Sequence, residues 1–222
     1  VEDAARDLCR YPDPGCRELT AALSGREGVS PDAILCGCGA AELIYAYCGA
    51  LGAVRALMPA PTFLEYGAAL EAFGGEAEPF FLKEAEGFAL TEAFLTALER
   101  TDCGAVFLCS PNNPTGRLIR PELLEEICRI CHRRGLRLFV DECFLELSDG
   151  GREASLAGWL DGFPGLFLLR AFTKSYGMAG LRLGYCLSGD GGLLSAMGRR
   201  VQPWNVSLPA QRAGVAALKE DA

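Results

Sequence analysis

The sequence contains no uncharged apolar run that reaches the ~20 residues of a membrane-spanning helix. It is also poor in basic residues, with 21 lysines and arginines against 29 acidic residues and a net charge of −8. Because phosphate backbones are bound through clustered lysine and arginine, this balance argues against nucleic acid as a partner. We therefore expect a water-soluble protein that neither spans a membrane nor binds nucleic acid.

Histidine is nearly absent, since His132 is the only one in 222 residues. It ends the segment Cys128-x-x-Cys131-His132, which has the spacing of a haem c attachment site. The segment falls in a predicted amphipathic helix and no export signal is seen, so core packing is the better interpretation. Cys36 and Cys38 have no second pair at ligand spacing, which argues against a zinc site, and we expect no metal.

A secretory leader is also not seen in the opening residues, which read Val-Glu-Asp-Ala-Ala-Arg-Asp. Eleven cysteines could suggest disulfides, but most lie inside apolar runs, where free cysteine behaves as a small hydrophobic residue. Without an export signal, reduced thiols and a cytoplasmic location are the expectation.

Short apolar segments alternate with amphipathic ones along the chain. The predicted strands span residues 54–58, 77–82, 104–109, 136–140, 166–169 and 183–187. The predicted helices span residues 42–51, 63–73, 91–100 with Thr91 as N-cap, 121–134, 191–201 and 207 onward. This alternation predicts a three-layer α/β/α fold, in which helices cover both faces of a mainly parallel sheet.

Polar side chains follow two of the predicted strands. Ser110-Pro-Asn-Asn-Pro-Thr-Gly116 comes after one strand, and Asp141 comes after another. Ligands of open α/β sheets bind at the carboxyl edge of the strands, where a buried carboxylate needs a partner such as a protonated ring nitrogen. An ordinary Pro/Asn/Gly turn and a helix-capping aspartate are the structural alternatives.

The segment from Arg170 to Tyr185 is the most informative part of the sequence. Lys174 follows the apolar run 166–169 and a hydroxyl residue, Thr173, and Arg182 comes eight residues later. A lysine at the carboxyl end of a strand can form a Schiff base with a carbonyl cofactor. An arginine can bind a phosphate through two parallel hydrogen bonds from its planar guanidinium. These residue types therefore suit a carbonyl cofactor that carries a phosphate.

A second phosphate-binding element is predicted where Gly37-Cys-Gly-Ala-Ala-Glu42 opens a helix. Small residues let an anion approach the helix N-terminus, where the free amides of Ala40 and Ala41 and the helix dipole favour negative charge. A short Gly-x-Gly is a weak signal by itself, and its value lies in the combination with the lysine segment.

In this combination and order, the segments resemble those of the fold-type I pyridoxal-phosphate enzymes of the class I/II aminotransferase family. The nearest branch is that of histidinol-phosphate aminotransferase and threonine-phosphate decarboxylase, and the resemblance runs along nearly the whole chain. It implies pyridoxal 5′-phosphate as the cofactor. Lys174 would form the Schiff base, Asp141 would pair with the ring nitrogen and keep it protonated, and Asn113 would donate to the 3-hydroxyl oxygen.

The resemblance also implies contacts to the rest of the cofactor. The phosphate would be bound by Thr173, Arg182 and the amides of Ala40 and Ala41. Phe63 would stack on the ring, with Tyr66 as the alternative. Tyr11 would reach the phosphate of the neighbouring subunit, which implies a homodimer with shared sites.

Two departures from the family pattern bear on the expectations. Phe144 stands where many aminotransferases have a tyrosine whose hydroxyl assists the asparagine. The family's chains are considerably longer, so we expect a cofactor-binding large domain over residues 1–203. Residues 204–222 would begin a connection to a C-terminal small domain that this sequence lacks, together with its arginine for the substrate carboxylate.

The expected activity is that of an aminotransferase acting on an amino acid or amino-phosphate, similar to histidinol-phosphate aminotransferase. The first alternative is a threonine-phosphate decarboxylase of cobalamin biosynthesis, which Phe144 and the segment Gln202-Pro-Trp-Asn-Val-Ser207 resemble somewhat more closely. The second alternative is a cofactor-binding domain without turnover. Within that segment, packing is the leading interpretation of Trp204, and a functional role is the other.

Overall fold

The computed structural model describes residues 2–220, in which seven strands form one sheet. The strands are β1 (Ile34–Gly37), β2 (Arg55–Ala60), β3 (Glu76–Phe81), β4 (Ala105–Cys109), β5 (Arg137–Asp141), β6 (Leu166–Ala171) and β7 (Gly184–Ser188). Their order is β1-β7-β6-β5-β4-β2-β3. Among the described strands, β7 runs opposite to the other six, so its pairings with β1 and β6 are antiparallel and the other four pairings are parallel. The predicted mainly parallel sheet is therefore confirmed.

Helices connect the strands, as the alternating pattern predicts. They are α1 (Glu2–Ala5), α2 (Arg17–Glu27), α3 (Ala40–Leu51), α4 (Glu65–Ala72), α5 (Ala93–Arg100), α6 (Pro121–Arg134), α7 (Phe172–Ser175), α8 (Gly191–Gly198) and α9 (Leu208–Glu220). The bounds of α6 agree with the prediction, where a proline begins the helix and Gly135, in a left-handed conformation, ends it.

Strand register places the polar strand ends side by side. Cys109 at the end of β4 pairs with Asp141 at the end of β5, and Asp141 pairs with Leu169 of β6. On the far side of β6, Ala171 pairs with Gly184 of β7, which in turn pairs with Gly37 of β1. The carboxyl ends of β1, β4, β5 and β6 therefore meet at one edge of the sheet.

The core on one face of the sheet is largely aromatic. Phe107, Phe139 and Phe167 occupy equivalent positions on three adjacent strands, and their rings stack at centroid distances of 4.6 and 5.1 Å. Tyr47 of α3 packs over these rings. Each of the four side chains is at most 1% exposed, and burial of such a side chain stabilises the fold by roughly 1.5–3 kcal/mol.

The structure corrects several predicted helix termini, that at Thr91 among them, and adds four of the helices and strands given above. Thr91 does not cap α5, which begins at Ala93 after Glu92 without any side-chain cap. The Thr91 carbonyl instead accepts a hydrogen bond from the amide of Phe94. The sequence patterns also missed β1, α1, α2 and the short helix α7.

The predicted state of the cysteines is confirmed in the described part of the chain, where all eleven are free thiols. Cys128 and Cys131 lie on the buried face of α6. Their burial supports a role in core packing rather than in haem attachment. Among residues 2–220, no helix has both the length and the apolar character that a membrane crossing requires.

Candidate functional site

A cavity of about 160 Å³ lies at the sheet edge where the polar strand ends meet. Eight of the nine predicted site residues line it: Ala40, Ala41, Phe63, Asn113, Asp141, Thr173, Lys174 and Arg182. They come from six separate segments of the sequence, and strand register brings them together. Tyr11 is the one predicted residue that does not line this cavity.

Asp141 lies at the floor of the cavity and is 6% exposed. Its Oδ2 accepts a hydrogen bond from the Tyr66 hydroxyl at 2.7 Å, and its Oδ1 accepts one from the Cys143 amide at 2.9 Å. Burial raises the pKa of Asp141 above its ordinary value, although both hydrogen bonds and the charge of Lys174 oppose the rise. A cationic group in the cavity would stabilise this carboxylate further.

Tyr66 also lines the cavity, although its side chain is buried from solvent. Burial raises the pKa of its hydroxyl well above the usual range, so the hydroxyl keeps its proton and donates to Asp141. Phe63 meets the Tyr66 ring edge-on at 5.6 Å and stands half-buried in the cavity wall. Phe63 and Tyr66 thus both present aromatic rings to the cavity, and Tyr66 in addition supports the carboxylate.

Lys174 projects from α7, the single helical turn that follows β6. Its side chain is exposed, and Nζ lies 5.1 Å from the ring centroid of Phe144, which is within cation–π distance. The opposite end of the turn is fixed, because Phe172 is 1% exposed and stacks on Tyr176 at 5.0 Å. A fixed turn with an accessible amine suits covalent attachment of a carbonyl compound.

The two asparagines of the 110–116 segment differ in what they contact. The Asn112 side chain donates to the Pro61 carbonyl at 3.0 Å and to Thr115 Oγ1 at 2.9 Å. Its own oxygen accepts from the Thr62 hydroxyl at 2.9 Å, so Asn112 holds the loops together. Asn113 lines the cavity instead, and its contact with a ligand stays a prediction.

The wall opposite these loops is suited to an anion. Helix α3 begins at Ala40, two residues earlier than predicted, so the unpaired amides of its first turn lie at the cavity. Arg182 packs across Gly39, where an added Cβ would lie 2.5 Å from Arg182 Nη2. Gly39 also has a φ of 81°, so glycine is required both by the backbone and by the arginine.

These residues fit pyridoxal 5′-phosphate by the chemistry of their donors. The Arg182 guanidinium, the Thr173 hydroxyl and the amides of Ala40 and Ala41 at the start of α3 form what we call the anion cup. An accessible lysine amine and a buried carboxylate line the same cavity. Apolar side chains such as Phe63 and Ile44 complete the walls, as a flat aromatic ring requires.

Comparison with known proteins decides the family. The sequence matches the family described as aminotransferase class I and II over residues 2–222. The chain belongs to this family. This membership confirms the resemblance seen in the sequence and the fold class, and with them pyridoxal 5′-phosphate as the cofactor of the family.

Two curated relatives of this aminotransferase-family chain have different names. It is 38% identical over 213 residues to a threonine-phosphate decarboxylase of Salmonella typhimurium, which covers 96% of this chain and 58% of that protein. It is 39% identical over 217 residues to a histidinol-phosphate aminotransferase of Desulfitobacterium hafniense. This match covers 94% of this chain and 58% of that protein. The chain thus spans about 58% of the length of these relatives.

Solved structures share the fold of this family member. The histidinol-phosphate aminotransferase of Clostridium acetobutylicum matches with a TM-score of 0.89 and 25% identity, over 99% of this chain and 64% of that one. The enzyme of Sinorhizobium meliloti, solved in complex with pyridoxal-5′-phosphate, matches with a TM-score of 0.85 and 24% identity, over 99% and 59%.

Two aromatic residues of this aminotransferase-family chain lie together outside the cavity. Tyr11 is 80% exposed, and its ring packs against that of Trp204 at 4.8 Å. Trp204 is itself 48% exposed and has a positive φ of 60°. The structure therefore pairs Trp204 with the predicted intersubunit residue rather than with the cavity.

Sequence reasoning missed two supports of the site. The bond between Tyr66 and Asp141 joins residues 75 positions apart, which no local motif reveals. The second is a buried ion pair, in which Arg170 Nε and Nη2 donate to Glu142 Oε2 at 2.9 and 2.8 Å. A signal existed only for the ion pair, because Glu142 directly follows the apolar strand that ends at Asp141, and Arg170 lies inside an apolar strand four residues before Lys174.

Proposed function

We propose that this chain binds pyridoxal 5′-phosphate and belongs to an enzyme that converts a small amine bearing a phosphate. The observation that carries the proposal is the convergence of Lys174, Asp141 and Arg182 on one cavity. Both the aminotransferase and the decarboxylase relatives carry a phosphorylated amine in their names, which supports this class of substrate.

Each residue has a task in this proposal. Pyridoxal 5′-phosphate supplies a protonated aromatic ring that withdraws electrons from the substrate Cα. Lys174 holds the cofactor through its amine and then moves a proton at the substrate Cα. Asp141 holds the proton on the ring nitrogen, and Asn113 donates to the 3-hydroxyl oxygen.

The anion cup orients the cofactor. Arg182, Thr173 and the amides of Ala40 and Ala41 bind the phosphate, while Phe63 packs on the ring and excludes water from one face. Residues 1–203 constitute the cofactor-binding domain, and residues 204–222 begin a connection toward a second domain. The protein is a cytoplasmic homodimer, in which the exposed Tyr11 contacts the phosphate of the neighbouring site.

Amino transfer is the first candidate reaction, and decarboxylation of threonine phosphate is the second. Both reactions are candidates because the chain has nearly equal sequence identities, 39% and 38%, to relatives with these two names. Purified protein is incubated with histidinol phosphate and 2-oxoglutarate, and separately with threonine phosphate. Glutamate formation in the first reaction supports amino transfer, and release of carbon dioxide in the second supports decarboxylation. Absence of both products, with cofactor bound, contradicts the proposed activity and leaves a binding domain without turnover.

A further inference from the structure

Glu42 places a carboxylate beside the anion cup without lining the cavity. It is the third residue of α3, the helix whose first amides face the cavity. A negative charge at a helix N-terminus is favoured by the same dipole and amides that bind a phosphate. The carboxylate is therefore a potential competitor for the site that the phosphate needs.

Two hydrogen bonds hold the Glu42 carboxylate away from those amides. Glu42 Oε2 accepts from the Cys38 amide at 2.7 Å and from Asn205 Nδ2 at 2.6 Å. The same oxygen lies over Gly37, where an added Cβ would come within 3.2 Å of it. The carboxylate is thus held over Gly37 at the end of β1, and Glu42 is not among the residues that line the cavity.

Asn205 reaches Glu42 from a distant part of the chain, 163 residues later. It lies between α8 and α9, next to Val206, which is 1% exposed and anchors the segment in the core. The backbone amide of Asn205 also donates to the backbone carbonyl of Gln202 at 3.2 Å, and this hydrogen bond closes a turn. The segment is therefore fixed well enough to hold the Glu42 side chain in one orientation.

We propose that Asn205 is a positioning residue for phosphate binding, because it keeps the Glu42 carboxylate out of the anion cup. The inference rests on the proposed binding of pyridoxal 5′-phosphate. Without Asn205, the carboxylate retains a single donor and turns toward the first amides of α3, where it competes with the phosphate. The competition affects ligands that carry a phosphate and spares those that lack one.

The test compares dissociation constants of pyridoxal 5′-phosphate and of pyridoxal, measured by absorbance titration of the apoprotein. Asn205→Ala should weaken binding of pyridoxal 5′-phosphate roughly threefold to tenfold and leave pyridoxal unchanged. In a Glu42→Gln background, which removes the competing charge, Asn205→Ala should have no effect on either ligand. Gln202→Ala is the matched control, since it shortens a neighbouring exposed amide and should change neither constant.

Three results would overturn the inference. The first is equal weakening of both ligands by Asn205→Ala, which indicates a merely structural role. The second is a loss of phosphate affinity that persists in the Glu42→Gln background, and the third is no loss at all. Failure of the unsubstituted protein to bind pyridoxal 5′-phosphate would instead contradict the proposed function itself, so the two failures are distinguishable.

Discussion

The hydroxyl of Tyr66 donates a hydrogen bond of 2.7 Å to Asp141 Oδ2, and both side chains are buried at the floor of the cavity. Tyr66 comes from α4 and Asp141 from the end of β5, so the bond joins two layers of the fold. Burial raises the pKa of the Asp141 carboxyl, and the bond from Tyr66 partly offsets this rise. Tyr66 therefore stabilises the charged form of the carboxylate that is proposed to hold the ring nitrogen.

Replacement of Tyr66 by phenylalanine should destabilise the protein more at high pH than at low pH. Because folding raises the pKa of Asp141, the stability linked to this group is present below its unfolded value of about 3.9 and is lost as pH rises through the folded value. Tyr66→Phe removes a donor to the charged form and raises that pKa further. We expect a loss of about 1–3 kcal/mol at about pH 8 and a smaller loss at about pH 4, measured by urea denaturation.

Tyr47→Phe is the matched control, because it removes a buried hydroxyl that has no hydrogen-bond partner among the described residues. That substitution should be neutral or slightly stabilising at both pH values. If Tyr66→Phe lowers the free energy of unfolding equally at both pH values, the hydrogen bond from Tyr66 does not affect the pKa of Asp141.

Replacement of Gly39 by alanine should weaken binding of pyridoxal 5′-phosphate. The new Cβ would lie 2.5 Å from Arg182 Nη2, so the guanidinium must leave the wall of the anion cup. Titration of the apoprotein should show weakening of at least about tenfold, the range expected when a charged contact to phosphate is lost.

The control for this prediction is Gly28→Ala at the end of α2. Gly28 also has a positive φ, 69° against 81° at Gly39, but an added Cβ there meets nothing within 4 Å. Its ψ of 26° is left-handed, whereas the ψ of 166° at Gly39 lies in a region that only glycine adopts readily. Gly28→Ala should lower the free energy of unfolding by roughly 1 kcal/mol through backbone strain, and Gly39→Ala by roughly 1–3 kcal/mol. If Gly28→Ala weakens cofactor binding as much as Gly39→Ala does, displacement of Arg182 is not the cause.

Replacement of Arg170 by methionine should destabilise the fold strongly, because Arg170 and Glu142 are each 3% exposed. The substitution leaves the Glu142 carboxylate buried, with the Ser155 hydroxyl and the Leu156 amide as its remaining donors among residues 2–220. We expect a loss of roughly 3–5 kcal/mol in urea denaturation, and partial recovery when Glu142→Gln removes the stranded charge.

Arg129→Ala provides a comparison at the surface of α6. Arg129 forms ion pairs with Glu125 and Glu126 at 2.7 and 3.1 Å, but its side chain is 53% exposed. Solvent screening limits the expected loss to below about 1 kcal/mol. Similar losses in the Arg129 and Arg170 variants would contradict a special role for the buried pair.

Short motifs explain why so much of the site could be predicted from the sequence. Lys174, Asp141 and Asn113 each follow an apolar strand directly or within a few residues, and parallel strands bring such positions to one sheet edge. The cup residues Ala40 and Ala41 were found through the adjacent glycines, although the helix begins two residues earlier than predicted.

The missed features depend on contacts that are distant in sequence or on weak local patterns. Strand β1 has only four residues, and α2 buries only Leu19 and Leu23 along an otherwise polar surface. The antiparallel direction of β7 follows from its pairing with both β1 and β6, which no periodicity encodes. The bonds to Asp141 and Glu42 likewise come from residues 75 and 163 positions away.

The central claim is that Lys174 binds pyridoxal 5′-phosphate covalently in this cavity. Purified protein is mixed with the cofactor, its absorption spectrum is recorded, and the complex is reduced with borohydride before peptide mapping. The account predicts a yellow complex and a reduced adduct on the peptide that contains Lys174, with neither seen in Lys174→Ala. An adduct on Lys83 or Lys219, or a yellow complex that persists in Lys174→Ala, would contradict it.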